Sequence, residues 1–188
     1  MTHSSDIHDL GSLKTALRNG WQPTYLFFWG HTPKDTSVGK HVLSQWWPAT
    51  FSIDDRSYPT AEHYMMAEKA RLFGDAEMCA EILAAKEPAQ AKSLGRKVRG
   101  FNEERWAEKR VSIAVRGNTA KFGQNADLKE WLIATKDAVL VEASPVNRVW
   151  GIGVSADDKR AGNPETWRGL NLLGFVLMKV RADLKNTG

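Results

Sequence analysis

One stretch constrains the fold more than any other: S-Y-P-T-A-E-H-Y-M-M-A-E-K, Ser57 to Lys69. Pro59 stands just before Thr60, whose hydroxyl suits a helix N-cap, so a helix is expected to start at Ala61. On that helix Glu62 and Lys69 are seven positions apart and lie within about 20° of each other on one face, with Met65 and Met66 between them. The two charges bracket an apolar floor, and a small molecule fits between their heads. The plainer alternative is a surface charge pair above a methionine core. Glu62 sits in the first turn, where the helix dipole stabilises the anion, so it is expected to be ionised at neutral pH. Apolar neighbours desolvate Lys69, which lowers its pKa and makes a nucleophile or a proton donor available. His63 and Tyr64 crowd into the same turns as candidate substrate contacts, against the plainer reading of His63 as a satisfied hydrogen-bonding residue.

Around this helix the punctuation of the chain marks the other elements. Ile7 to Leu17 suits a short helix in an N-terminal extension, residues 1–22, and residues 23–185 form the expected domain. Thr24 to Trp29 is an aromatic run that reads as a buried strand, and Thr32 to Lys40 carries turn residues throughout and reads as a loop. Leu43 to Pro59 suggests an extended segment that turns at Asp54-Asp55-Arg56, a hairpin leading into the helix. Asp75 to Lys86 repeats apolar residues at helical spacing after a break at Gly74; Pro88 opens the next helix and Gly100 is expected to close it. Helices follow over Asn102 to Phe122 and Asp127 to Ala134. Then Ala138 to Ser144 is strand-like, W-G-I-G-V is a glycine-punctuated turn, Ser155 to Glu165 is loop, and Leu170 to Arg181 is apolar on most sides, hence a buried helix.

Composition narrows the chemistry. With 188 residues, 42% of them apolar and eight tryptophans, the chain suits one fold with a sizeable core. A single cysteine, Cys79, excludes an internal disulfide and a cysteine-rich zinc site, and makes a reducing cytoplasm the expected setting. The first residues lack a basic start with an apolar core, and no apolar run approaches the roughly eighteen residues of a membrane span. The net charge of +4 is unevenly placed: Lys86 to Lys121 holds ten Lys/Arg against four Glu, so the remainder of the chain is slightly acidic. That segment suits a phosphate on a nucleotide, a sugar phosphate or a nucleic acid, or else is a solvated helix face. No H-E-x-x-H spacing, P-loop or G-x-S-x-G occurs, and W-G-I-G lacks the third glycine of a dinucleotide fingerprint. Neither metal nor cofactor is expected.

Seven motifs in one order, S-Q-W-W-P-A-T-F, Y-P-T-A-E-H-Y-M-M-A-E-K, A-K-S-L-G-R, W…V…A-V-R-G-N-T-A-K-F, L-V-E-A-S, W-G-I-G and G-L-N-L-L-G, resemble the NADAR family, also called the YbiA-like proteins. The resemblance runs from about Phe27 to Arg181. It implies a single α+β domain, mostly helical with a few short strands, that hydrolyses N-glycosidic bonds of ribose. Two substrate types come with it: phosphorylated ribosylamino-pyrimidines early in riboflavin biosynthesis, and ADP-ribose attached to guanine, which would make nucleic acid a partner. The resemblance implies Glu62 and Lys69 as catalytic residues and Trp106 and Trp150 as pocket tryptophans. It also implies that Gly95-Arg96 and Asn171 contribute to ligand binding or pocket shape. Where an aspartate is expected three residues before the W-G tryptophan, Asn147 stands instead; an amide still hydrogen-bonds a sugar hydroxyl but cannot act as a base.

Breaking a C–N bond at an anomeric carbon passes through an oxocarbenium-like state, which a carboxylate such as Glu62 stabilises. Lys69 either protonates departing atoms or condenses with a ring-opened C1′ as a Schiff base. Trp106, Trp150 or Phe28 would stack the planar base, Gly151 follows in the W-G turn, and basic residues near Arg96 take the phosphate. A reading of another class is a non-catalytic nucleotide- or nucleic-acid-binding module that uses the basic segment with Phe101 and Trp106. The oligomeric state is left open by the sequence.

Overall fold

The computed structural model describes residues 4–32 and 37–186. The fold is α+β and mostly helical, with seven α-helices and four short strands among the described residues. It divides into two compact units, one formed by Gln45–Ala126 and the other by the chain on either side of that segment. Part of the loop expected at Thr32 to Lys40 lies outside the described residues.

In the Gln45–Ala126 unit, strands β2 (Phe51–Ile53) and β3 (Arg56–Tyr58) pair antiparallel, with Phe51 opposite Tyr58 and Ile53 opposite Arg56. The turn between them is Asp54-Asp55, at φ 50° and 59°. Positive φ at both central residues is what a two-residue hairpin needs, and aspartate tolerates it better than most side chains. Residues before β2, expected to be extended, are instead coiled into turns, and the backbone carbonyl of Gln45 accepts the Glu62 N–H at 3.0 Å.

Helix α2 (Ala61–Leu72) starts where Thr60, in extended conformation, accepts the His63 N–H through its hydroxyl at 3.4 Å. Every residue from Ala61 to Ala67 is buried. α2 is therefore the centre of its unit, and α3 (Ala76–Ala84), α4 (Pro88–Gly95) and α5 (Glu103–Gly123) pack around it. Two glycines allow that approach. A Cβ on Gly95 would lie 2.2 Å from the Met66 sulfur, and one on Gly117 would lie 2.5 Å from the Tyr64 ring. Helix α4 stops at Gly95, five residues before the expected end at Gly100. A tight turn follows at once, the Lys97 N–H donating to the Leu94 carbonyl at 2.8 Å, and Asn102 then caps α5 through the Arg105 N–H at 2.8 Å.

In the other unit, α1 (Leu10–Arg18) opens with Asp9 and Ser12 capping each other reciprocally. Strand β1 (Tyr25–Phe28) pairs in parallel with β4 (Val139–Glu142), Tyr25 opposite Val139 and Phe28 opposite Glu142. Helix α6 (Ala126–Ala134) precedes β4, and α7 (Leu172–Asn186) packs onto β4. Val139, Leu140 and Val141 are wholly buried, which fits an apolar run rather than an alternating one. Arg181, 2% exposed, is held in that interior by donating to Thr135 Oγ1 at 2.7 Å and the Ala138 carbonyl at 3.0 Å. Among the described residues no helix is long and apolar enough to cross a membrane.

Candidate active site

Glu62 is the second residue of α2 and only 3% exposed. Its backbone N–H, which the first helical turn leaves without a partner, is taken by Gln45 as described above. Its carboxylate oxygen Oε1 is buried with no hydrogen-bond partner. Leaving a buried acceptor unsatisfied costs about 1–3 kcal/mol, more for a charged group, so such an atom in a native fold marks a place for a ligand. Burial pushes the Glu62 carboxyl above its ordinary range, while Lys92, the Trp46 side chain and Arg96 pull it back. The expected stabilisation of the anion by the helix dipole is thus outweighed by desolvation. The carboxylate is inside the protein, where water does not share the charge.

Lys69 lies half-buried further along α2. Its ammonium donates to the Gly95 carbonyl at 2.8 Å, 4.1 Å from the Phe101 ring centre and 5.8 Å from that of Trp106. Desolvation lowers its pKa, against the pull of Glu103, which is the direction the apolar stripe implied. The C-terminal end of α4 therefore faces both candidate catalytic residues: Gly95 holds Lys69, and Lys92 and Arg96 act on Glu62. Lys92 and Arg96, four positions apart on a helix end, lie on one side of α4. The Lys92 ammonium also stands 5.6 Å from the Trp46 ring centre. Trp106 is 7% exposed and so largely interior, whereas Phe101 is 43% exposed.

His63 and Tyr64, expected at the substrate, are committed to the interior. His63 is 1% exposed; Nδ1 meets Thr60 Oγ1 at 2.8 Å and Nε2 meets the Ala85 carbonyl at 3.2 Å. A carbonyl only accepts, so Nε2 carries the proton and the Thr60 hydroxyl donates to Nδ1. Burial lowers the imidazole pKa, which keeps it neutral and tied between α2 and the end of α3. Tyr64, 1% exposed, packs edge-on against Tyr58 at 5.1 Å, and burial raises its phenol pKa to about 12.

The remaining expected residues belong to the other unit. Phe28 is 2% exposed in β1, so its ring is core rather than a free stacking face. Asn147 Oδ1 accepts the N–H groups of Val149 at 3.1 Å and Trp150 at 3.0 Å, so that oxygen shapes the W-G turn. Trp150 is half-buried. Gly151 has no room for a side chain, a Cβ there lying 2.7 Å from the Glu142 carbonyl. Asn171, wholly buried at φ 55°, donates to the Leu140 carbonyl and accepts from the Glu142 N–H, both at 2.9 Å. It pins α7 to β4, a matter of shape. Among the described residues no group of three or more His, Cys, Asp or Glu gathers as a metal site.

Sequence reasoning overlooked Trp46, Lys92 and the Gly95 carbonyl. The signal was present for the first two, since Trp46 falls in S-Q-W-W-P and Lys92 stands four residues before Arg96 in A-K-S-L-G-R.

The chain is 40% identical over 164 residues to an N-glycosidase of Acanthamoeba polyphaga mimivirus, an alignment covering 85% of this chain and 95% of that one. It is 31% identical over 143 residues to a riboflavin biosynthesis protein of Vibrio vulnificus, covering 76% of this chain and 35% of that longer one. Its fold matches the NMR structure of the Escherichia coli protein YbiA with a TM-score of 0.71 at 27% identity, over 89% of this chain and 88% of that one. Residues 27–185 match the NADAR domain, and the chain belongs to that family.

Proposed function

We propose that this chain is an N-glycosidase that hydrolyses the ribosyl C–N bond of a phosphorylated ribosylamino-pyrimidine, with Glu62 as the carboxylate beside C1′. The observation that carries the proposal is Glu62 Oε1, a buried acceptor without a partner at the end of α4 that also bears Lys92 and Arg96. The mimivirus relative is an N-glycosidase, and the name of the Vibrio relative points to riboflavin precursors. In the reaction water supplies hydroxide to C1′ and a proton to the departing nitrogen as the C–N bond breaks. Positive charge develops on the sugar in between, and a desolvated carboxylate stabilises it far better than one in water. Lys69 either delivers the proton or forms a Schiff base with C1′. Lys92 and Arg96 suit the phosphate, and the partly exposed Phe101 suits the planar base. The lone Cys79 makes the cytoplasm the proposed setting.

The test is incubation with a ribosylamino-pyrimidine 5′-phosphate and, separately, with an oligonucleotide carrying ADP-ribosylated guanine, reading released base and sugar by mass spectrometry. Release from the first alone supports the proposal; release from the second alone replaces its substrate. Glu62→Gln keeps the size of the side chain and removes its charge, and should lower turnover about 100-fold or more. Turnover within about threefold of wild type sinks the assignment of Glu62.

A further inference from the structure

A catalytic carboxylate is only as well placed as the backbone that carries it. At Glu62 that backbone is held from outside its own helix, since the N–H donates to the Gln45 carbonyl at 3.0 Å. We infer that Gln45 and Asn118 are positioning residues: their side-chain amides pair in the interior, fix the Gln45 carbonyl and so set where the Glu62 carboxylate stands. The inference rests on the reading of Glu62 as the carboxylate at C1′.

The hydrogen bonds run without a break from α5 to Glu62. Asn118 is wholly buried on α5, and Gln45 is 8% exposed. Asn118 Nδ2 donates to the Ala114 carbonyl at 2.8 Å, one turn earlier on its own helix, and to Gln45 Oε1 at 3.1 Å. A carbonyl only accepts, so the Ala114 bond fixes which end of the Asn118 amide is the nitrogen. Its oxygen is thereby left to accept from Gln45 Nε2 at 2.9 Å. Both hydrogens and the oxygen of the Asn118 amide are satisfied, and the Gln45 amide has one orientation in which to meet them. The main chain of Gln45 then carries the bond to Glu62.

Packing alone requires neither amide. Gln45 lies in a turn, outside any helix or strand, so no ladder keeps its carbonyl in place. Inside a helix asparagine is a weaker helix former than leucine of similar size, and a buried pair of amides is worth little more to stability than apolar side chains of the same shape. What the pair adds is direction, because it ties a turn to a 21-residue helix at one register. Glu62 Oε1, buried without a hydrogen bond of its own, takes its position from that backbone.

Two variants separate positioning from packing. Asn118→Leu leaves the Gln45 amide buried without its partner and should lower both stability and kcat. Combining it with Gln45→Met removes both amides, nearly keeps the volumes and should return the denaturation midpoint close to that of wild type. In both variants kcat should be about tenfold to a hundredfold below wild type, with KM changed less than about threefold, because the carboxylate is displaced while the groups that bind substrate remain. A role in packing alone would restore activity together with stability, so a folded double variant with kcat within about threefold of wild type overturns the inference. Hydrogen exchange gives a readout that needs neither turnover nor a variant to fold. In wild-type protein the Glu62 N–H and both Asn118 side-chain amide protons should exchange slowly, and rapid exchange of either group also overturns the inference. In the double variant the Glu62 N–H should exchange about tenfold faster or more, with the Met66 and Ala67 amides unchanged. If wild type hydrolyses no ribosyl substrate yet exchange follows this pattern, the proposed function fails while the anchoring of Glu62 by Gln45 and Asn118 stands.

Discussion

Lys69 is the residue whose chemistry the geometry narrows most. Its ammonium is held by the Gly95 carbonyl and faced by Phe101, two contacts that favour the charged amine, while burial favours the neutral one. Desolvation prevails, and the pKa is lowered. The neutral, nucleophilic amine is thus more accessible than in a surface lysine, although the carbonyl contact must be released before C1′ is attacked. Borohydride added during turnover separates the two roles. A Schiff base is reduced to a stable ribose-derived adduct on Lys69, absent from Lys69→Ala. Turnover without any trapped adduct assigns Lys69 to proton delivery, and Lys69→Ala should slow the reaction in either case.

At the scale of elements, α2 carries the site because its neighbours come unusually close. An apolar stripe on one side would have made it an ordinary amphipathic helix, but its first seven residues are all buried, polar ones included. That burial depends on Gly117 of α5 lying against the Tyr64 ring, and Tyr64 shares a rigid aromatic cluster with Phe51 and Tyr58. Gly117→Ala should therefore destabilise the protein by about 1–3 kcal/mol despite the better helix propensity of alanine. Chemical denaturation checks this, and a midpoint equal to or above wild type contradicts the close packing. Gly95→Ala should cost a similar amount, since a Cβ there meets Met66 at Sδ, 2.2 Å, and at Cγ, 2.9 Å, and not only at that side chain's flexible end.

The whole molecule contributes an uneven field. The basic excess of Lys86 to Lys121 is partly neutralised within the fold, where Arg99 pairs with Asp75 and Glu77, Arg110 with Glu103, and Arg116 with Asp54. Lys121 is buried, and desolvation lowers its pKa to about 7, so it contributes little to the outer field. Lys92 and Arg96 remain as the cations acting beside Glu62. Attraction of a phosphorylated substrate should then be salt-sensitive, with KM rising several-fold between low salt and about 0.3 M and kcat nearly constant. A KM independent of ionic strength would argue that the phosphate is held elsewhere or is not needed.

Local chemistry by itself determined the hairpin turn at Asp54-Asp55, the cap at Thr60, the helices after Asp75, Pro88 and Asn102, and the strand character of Thr24 to Trp29 and Ala138 to Ser144. Each of these depends on a few neighbouring residues, so the chain carries the signal in order. Glu62 and Lys69 were legible as a pair for the same reason, since helical spacing places them on one face. Tertiary structure alone decided that Glu62 is buried rather than poised at a helix surface, that His63 is interior, and that β1 pairs with β4 across more than a hundred residues. It also brought Trp46, Lys92 and the Gly95 carbonyl to the two catalytic candidates. Burial and orientation are set by contacts between segments distant in sequence, and no local pattern states how deeply a carboxylate will sit or which cations will stand beside it.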